Sequence, residues 1–469
     1  MNIDRVYRDL RKLLGDEKVS RDEFLLELHN RDAAYLKGDS EIIVFPYELE
    51  DIRRIVKYCY RYGVKIYPQG GSSELTGSSI PRKDGIILSF IRMNRVLESR
   101  PWDGYVIVEP GLRLIELNME LEKDGYFFPI DPASIKSATV GGIINTGAGG
   151  LRGFKYGTTK DWVLGLEVVL PDESATVLNL GSKTLKAREG YDLTRLIVGS
   201  EGTLALVTKA ILKVTRIPGN IVSIAGFFSD LRDLMEAVVR LRRENLDIIL
   251  LEFVDSDTVE LVKQHKDISL DASGNMLIVG IVSHCNPDRE IGIVEDILKT
   301  FNADNVISAY SFREAEEMGF YRIRRGFYTT LIEAAHRLGG GDPILYIEDI
   351  SVPPSYLPQV IDEIIRVVKD NGVYAGIAGH VGDGNLHPTL YVKNREDIPR
   401  LFKAADEIMD IALKYGGVIS SEHGIGLYKR DALYRAYKYR NSLKALDIMK
   451  RIKEVFDPKN ILNPGKVLP

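Results

Sequence analysis

The chain is poor in cysteine: its 469 residues hold two, Cys59 and Cys285. Two thiols cannot ligate an iron–sulfur cluster, which takes about four, and no CxxC pair is present. Cys59 falls on the apolar face of an expected helix and Cys285 follows an apolar strand, so both are read as buried thiols rather than a disulfide. Positive charge is not in excess either. Lys and Arg number 62 against 67 Asp and Glu, a net of -5 with the two signs intermixed. That argues against a nucleic-acid partner, which calls for a basic stripe. No run approaches the ~18 apolar residues of a membrane span. The N-terminal stretch MNIDRVYRDLRKLLGDEKVS is charged and helical, without the apolar segment of a signal peptide. No transmembrane segment and a cytoplasmic location are expected. Histidine is scarce as well, seven in all, which makes any clustering of them informative.

What is present is an ordinary globular composition, 45% hydrophobic and 28% charged, in a chain too long for one core. Residues 41–45 read as a strand. Residues 48–62 read as a helix, with Ile52, Ile55, Val56 and Cys59 on one face and Gly63 as its stop. Residues 64–68 return as a strand that runs into Gln69-Gly-Gly-Ser-Ser-Glu-Leu-Thr-Gly-Ser-Ser79. Strands follow at 85–90 and 105–109, a helix at 112–123, a glycine-rich stretch at 141–157 with no long helix, and strands at 166–170 and 203–214. Pro218 marks a boundary. Beyond it, strands at 221–228, 248–254, 275–283, 344–350, 373–379 and 388–393 alternate with helices at 230–243 (Ser229 as its cap), 256–265, 288–300, 313–336 and 355–371. This pattern predicts an open sheet with helices on one face. A single long helix at 431–456 and a tail at 457–469 end the chain.

The glycine-rich loops carry the first functional signal. Gly70 and Gly71, followed by Ser72, Ser73, Thr76, Gly77, Ser78 and Ser79, offer backbone N–H groups and hydroxyls to phosphate oxygens. The loop has no P-loop lysine and no G-x-G-x-x-G opening a helix, which excludes a triphosphate-hydrolysing or Rossmann site. By itself it could equally be a surface turn. Val140-Gly-Gly-Ile-Ile-Asn-Thr-Gly-Ala-Gly-Gly150 and Val198-Gly-Ser-Glu-Gly-Thr-Leu204 add two more such loops. Ordering three of them costs entropy that a ligand with a long polar spine would offset.

These segments, together with Val108-Glu-Pro-Gly111, Asp131-Pro-Ala-Ser134, Lys155-Tyr-Gly-Thr158 and Asn463-Pro-Gly-Lys466, resemble the vanillyl-alcohol-oxidase/PCMH flavoprotein superfamily. Within it the chain is similar to the branch of glycolate oxidase D-subunits, D-lactate dehydrogenases and D-2-hydroxyglutarate dehydrogenases. The resemblance implies an α+β fold: a two-subdomain PCMH-type FAD-binding domain (36–217) after an N-terminal helical segment (1–35). An α+β cap domain (218–428) would carry an open antiparallel sheet covered by helices and the metal site. A C-terminal helix and tail (429–469) would return to the FAD domain. It implies FAD with its pyrophosphate cradled by residues 68–79 and 132–142. The implied contacts are Pro68, Gly70, Gly71, Ser72, Ser73, Thr76, Gly77, Ser78, Pro132, Ala133, Ser134, Thr139, Gly141, Gly142, Asn145, Gly149, Tyr156, Glu201, Gly202, Val207 and Asn463. Members with a covalently attached flavin often carry a histidine where this chain has Ser72, so non-covalent FAD is implied.

Two of the seven histidines sit in Gly379-His-Val-Gly-Asp-Gly-Asn-Leu-His-Pro388. Asp383-Gly384 predicts a two-residue hairpin turn, which would set His380 directly opposite His387 on one sheet face, Cβ atoms ~5 Å apart. Converging imidazoles suit a divalent metal; on the hairpin alone they suit a plain hydrogen-bonding role equally well. Ser420-Ser-Glu-His-Gly-Ile-Gly426 offers a third ligand, Glu422 or His423. The resemblance assigns His380, His387 and Glu422 to the metal (Zn, Mn or Fe) and His423 to general-base catalysis. The other histidines, His29, His265, His284 and His336, are read as structural or solvated.

An anionic substrate needs a guanidinium fork. Arg322, Arg324 and Arg325 crowd one helix, and the resemblance favours Arg324, although the alignment also admits either neighbour or a solvated basic face. In the D-2-hydroxyglutarate branch a Lys precedes by two residues the Asp that matches Asp349; here Ile347 stands there. The expected reaction is therefore metal-assisted, FAD-dependent oxidation of a small D-2-hydroxy acid to the 2-oxo acid, with D-lactate or glycolate favoured over a different small acid and hydride passing to flavin N5. A separate acceptor is implied: a quinone, an electron-transfer flavoprotein or an iron–sulfur subunit. The alternatives are alkyl transfer of the alkyldihydroxyacetonephosphate-synthase kind and a flavin-carrying subunit of a larger complex. The basic residues of the last helix leave open docking at the inner face of a membrane, and oligomeric state, a homodimer included, is open.

Overall fold

The computed structural model describes residues 2–34, 36–284, 286–339 and 344–469; Cys285, expected to be a buried thiol, lies outside them. The chain divides into two units. The first comprises Met1–Gly149, Gly157–Ile217 and Glu422–Pro469, the second Gly150–Tyr156 and Pro218–Ser421.

In the first unit the periodicity of helix Leu49–Tyr62 works as sequence reasoning expects. Ile52, Ile55, Val56 and Cys59 are all buried, and Gly63 ends the helix at φ 69, a left-handed conformation cheap for glycine. The strands on either side, Ile43–Val44 and Lys65–Gln69, are not neighbours. Gly85–Ser89 lies between them and pairs parallel with both, and Val19–Ser20 completes the sheet. A second sheet is antiparallel, in the order Val96–Arg100, Tyr105–Val108, Leu206–Lys213, Val163–Val169, Val177–Gly181. The tail also belongs here: Ile66 N–H donates to the Ile461 carbonyl and Asn463 N–H to that of Ile66.

The second unit is built on one open antiparallel sheet. Its order is Asn305–Ala309, Ile221–Phe228, Asn275–Val282, Ile248–Val254, Tyr374–Gly379, Asn385–Val392, Ile344–Ile347, with Ile350–Ser351 also paired to Asn385–Val392. Helices cover both faces, not one. On strand Ile221–Phe228, Ser223 hydrogen-bonds Tyr321 of the helix Phe320–Gly339. A Cβ on Gly226 would instead meet Leu298 of helix Pro287–Thr300. Residues of odd and even number point to opposite faces, so each face has its own helix layer. Accordingly Ile248–Val254 and Asn275–Val282 are buried at every position.

Three expected elements are interrupted. The helix expected at 313–336 is two, Phe312–Met318 and Phe320–Gly339, parted by Gly319 at φ 98. The helix expected at 431–456 is Arg430–Tyr439 and Leu443–Phe456, parted at Asn441, φ 53. The strand expected at 344–350 breaks at Glu348 and Asp349, both fully buried. Helix Leu231–Leu241 is capped by Asp230 rather than Ser229, the aspartate accepting from Arg232 N–H.

Candidate active site

In the first unit the backbone of the glycine loops is packed closely against neighbouring residues, with no room for a side chain at Gly70, Gly71, Gly141 or Gly202. A Cβ on Gly70 would lie 2.1 Å from Thr139 Oγ1, and one on Gly71 2.1 Å from the Ser137 carbonyl oxygen. One on Gly141 would lie 2.8 Å from Pro110 Cβ, and one on Gly202 2.8 Å from Pro68 Cγ. Any side chain would force these loops apart. Thr139 caps the short helix Val140–Thr146, its hydroxyl accepting from Gly142 N–H. Pro132, Ala133 and Ser134 sit in a turn, where the Pro132 and Ser134 carbonyls take the N–H groups of Ile135 and Ser137. A small cavity, about 20 Å³, opens beside these loops, lined by Pro68, Gly70, Gly141, Asn145 and Val207 among the expected contacts. Gln69, Phe90 and Leu206 line it too, and sequence reasoning had not singled them out. Ser72 Oγ and Asn145 Oδ1 are buried without a hydrogen-bond partner. Orphaned polar atoms beside a glycine-lined cavity fit the polar spine of a dinucleotide.

Other expected contacts act as struts. Asn463 Nδ2 donates to the carbonyls of Ser78 and Glu201 at 2.8 and 2.7 Å. The carboxylate of Glu201 accepts from the N–H groups of Ile425 and Gly426 at 2.7 and 2.8 Å. Burial pushes Glu201 up to about 7. These hydrogen bonds brace the loops against one another, while Asn463 Oδ1 is buried without a hydrogen-bond partner. Two further braces were missed. Glu74 accepts from Thr76 and Gly77 N–H and from both the N–H and hydroxyl of Ser79. Lys466 Nζ donates to the Gly77 and Ile80 carbonyls, and burial lowers it to about 8. The sequence signal for both was available: a charged residue inside a glycine–serine loop, and one in the Asn-Pro-Gly-Lys tail. Glu422 and His423 open the last segment of this unit. A Cβ on Gly149 would meet Glu422 Oε1 at 2.6 Å, and the His423 carbonyl accepts from Thr76 Oγ1 at 3.1 Å. Tyr156, expected at the cofactor, falls in the second unit and packs against its core.

In the second unit the histidine hairpin has a longer turn than expected. Asn385 N–H donates to the His380 carbonyl, and Ala378, not His380, pairs with His387. The loop is thus four residues, 381–384, with Gly384 at φ 88 where its Cβ would strike the Val352 carbonyl at 1.9 Å. A register shift of two residues keeps side chains on the same face. The imidazoles therefore still converge, ring centroids 5.2 Å apart and planes at 86°, with one nitrogen of each within 4.8 Å of the other. Both rings are buried, and each is backed by a fully buried carboxylate. His380 Nδ1 lies 2.7 Å from Glu252 Oε1, and His387 Nδ1 lies 3.7 Å from Asp349 Oδ1. Asp349 is itself held by Asn385 Nδ2, Ser420 Oγ and Ser421 N–H, each at 2.9 Å. Imidazoles with a carboxylate behind Nδ1 are the pattern that metal-binding histidines show, so the donor set fits a divalent cation. Neither Glu252 nor Asp349 was singled out from sequence for this role; Glu252 comes from the strand Ile248–Val254, and Asp349 from the break between Ile344–Ile347 and Ile350–Ser351.

The three arginines separate clearly. Arg322 is exposed and donates to the Lys266 carbonyl. Arg325 pairs with Glu316 at 3.0 Å. Arg324 alone is buried, its Nε 2.8 Å from Glu252 Oε2, which commits one of its five N–H donors. Of the remaining histidines, His29 meets Gln69, His265 Glu333 and His284 Asp247.

The family model described as FAD linked oxidases, C-terminal domain, matches residues 217–467, and the one described as FAD binding domain matches residues 40–179. The chain belongs to the FAD-linked oxidases. As a member of that family it is an FAD-dependent oxidoreductase. It is 34% identical over 433 residues to the glycolate oxidase subunit GlcD of Bacillus subtilis (strain 168), covering 91% of this chain and 88% of the relative. It is 32% identical over 471 residues to a probable mitochondrial D-2-hydroxyglutarate dehydrogenase of Oryza sativa subsp. indica, covering 98% and 81%. The fold matches that of p-cresol methylhydroxylase with substrate bound, TM-score 0.78 over 99% of this chain and 96% of that one, at 18% identity. That likeness shows a PCMH-type α+β fold and nothing of the substrate. Among the described residues no helix is long and apolar enough to cross a membrane.

Proposed function

We propose that this FAD-linked oxidase converts a small D-2-hydroxy acid, D-lactate or glycolate, to its 2-oxo acid with the help of a divalent metal. The observation that carries the reading is the buried imidazole pair His380 and His387, each backed by a carboxylate. FAD held by the glycine loops would supply the oxidising power for the reaction. His380, His387 and Glu422 would hold a Zn, Mn or Fe ion, which would supply Lewis acidity toward the substrate hydroxyl. His423 takes the hydroxyl proton as general base. Arg324 fixes the substrate carboxylate through its terminal N–H groups and so selects the face presented. The loops around Gly70, Gly71, Gly141 and Asn145 hold the dinucleotide without a covalent bond.

Ile347 supports a monocarboxylate. It is buried and apolar at the position where the D-2-hydroxyglutarate branch has a Lys, so it offers no cation to a second carboxylate. The name of the Bacillus relative, a subunit, supports delivery of electrons to a separate protein. A quinone or an electron-transfer flavoprotein is compatible with the same chemistry.

The test is anaerobic addition of D- and L-lactate, glycolate and D-2-hydroxyglutarate to the FAD-loaded chain while the flavin absorbance is followed. D-lactate or glycolate should bleach it, L-lactate should not, and D-2-hydroxyglutarate should do so only weakly. Bleaching by none of them would return the alkyl-transfer or carrier readings.

A further inference from the structure

We propose that Glu252 is a positioning residue that couples the substrate's carboxylate anchor to the metal ligand His380; the inference rests on the reading above. Glu252 is the one charged residue in the strand Ile248–Val254, Ile-Ile-Leu-Leu-Glu-Phe-Val, and it is fully buried. An ionised carboxylate there is costly unless it is paired and hydrogen-bonded, and an aliphatic residue would suit the sheet. Both oxygens are in use. Oε1 and Oε2 lie 2.7 and 2.8 Å from His380 Nδ1, and Oε2 also lies 2.8 Å from Arg324 Nε.

Two consequences follow from this sharing. An ionised carboxylate only accepts, so His380 carries its proton on Nδ1 and presents the Nε2 lone pair as the ligand atom. The guanidinium, gripped at Nε, is held in one plane by that contact. Because one oxygen serves both partners, a change that frees the arginine also loosens the imidazole. His387 lacks this arrangement: its Nδ1 is 3.7 Å from Asp349, beyond hydrogen-bond reach.

The experiment compares FAD-loaded wild type with Glu252→Gln. One amide oxygen can replace only part of the acceptor capacity. The variant should bind Zn²⁺ or Mn²⁺ ~10–100-fold more weakly, read by metal content after dialysis against graded chelator. It should also raise KM for whichever of D-lactate and glycolate the wild type oxidises. Wild-type metal affinity together with wild-type KM in the variant would overturn the inference while leaving the metal reading intact. A wild type that binds no metal would instead overturn the metal reading, and this inference with it. Should the variant not fold, ¹⁵N spectra of the histidines in metal-stripped, FAD-loaded wild type decide. A His380 tautomer protonated at Nδ1 supports the inference, and one protonated at Nε2 overturns it.

Discussion

The two units present their functional residues in opposite ways. In the first, the loops around Gly70, Gly71 and Gly141 are shaped by glycine backbone pressed on its neighbours, with a hydroxyl, a carbonyl and a proline carbon 2.1 to 2.8 Å from where a side chain would begin. In the second, the hairpin is shaped by buried charge: Glu252, Asp349, Arg324, His380 and His387 are all at most 6% exposed. The first depends on side chains being absent, the second on particular side chains being paired. Mutations should therefore divide the cofactor from the chemistry, and four predictions test that division.

The largest effect belongs to the imidazoles assigned to the chemistry, His380 in the charged hairpin and His423 in the last segment of the first unit. His380→Ala and, separately, His423→Ala should each slow flavin reduction by ~10²-fold or more with FAD content unchanged. Stopped-flow reduction and the flavin-to-protein absorbance ratio check both. Loss of FAD from His380→Ala would break the division. The converse is Gly71→Ala. Its new methyl meets the Ser137 carbonyl, and about 3 kcal/mol or more of overpacking should expel FAD and lower the melting temperature, while metal content persists. Third, burial raises Glu201 to about 7 from its ordinary 4.5. Between those values the folded chain keeps a proton that the unfolded chain has released, so stability falls as pH rises through this window and levels off above it. Glu201→Gln should remove that decline, giving a melting-temperature profile flatter than wild type from pH 4.5 to 7. Smallest is Gly63→Ala. Nothing lies within 4 Å of its Cβ, and only its φ of +69 is strained. About 1 kcal/mol is expected, read by denaturant titration, with FAD retained.

The same contrast explains what the sequence revealed. Glycines forced by close approach stand out in one dimension, so the order of the loops, the helix Leu49–Tyr62 with its Gly63 stop and the alternation beyond Pro218 were legible. The hairpin histidines were legible as a pair because a slip of two residues preserves the face, although the turn length was not. Glu252 and Asp349 were not legible. Glu252 sits in an otherwise apolar strand and Asp349 in the break that follows Ile344–Ile347, and only sheet pairing across more than a hundred residues brings Glu252 to His380. Neither Gly319 nor Asn441 was read as an interruption, because the apolar pattern runs on past them while the backbone turns left-handed. Helices on the second face of the sheet were missed for a related reason. Strands buried on both faces read as continuous apolar runs, without the alternation that marks an exposed face.

The most direct test of a metal-assisted flavoenzyme is the anaerobic rate of flavin reduction by D-lactate or glycolate, measured before chelation, after it, and after metal is restored. Reduction should fall by two orders of magnitude or more on stripping, with FAD still bound, and recover when Zn²⁺ or Mn²⁺ is added back. An undiminished rate in the stripped, FAD-loaded chain would contradict the role assigned to His380, His387 and Glu422.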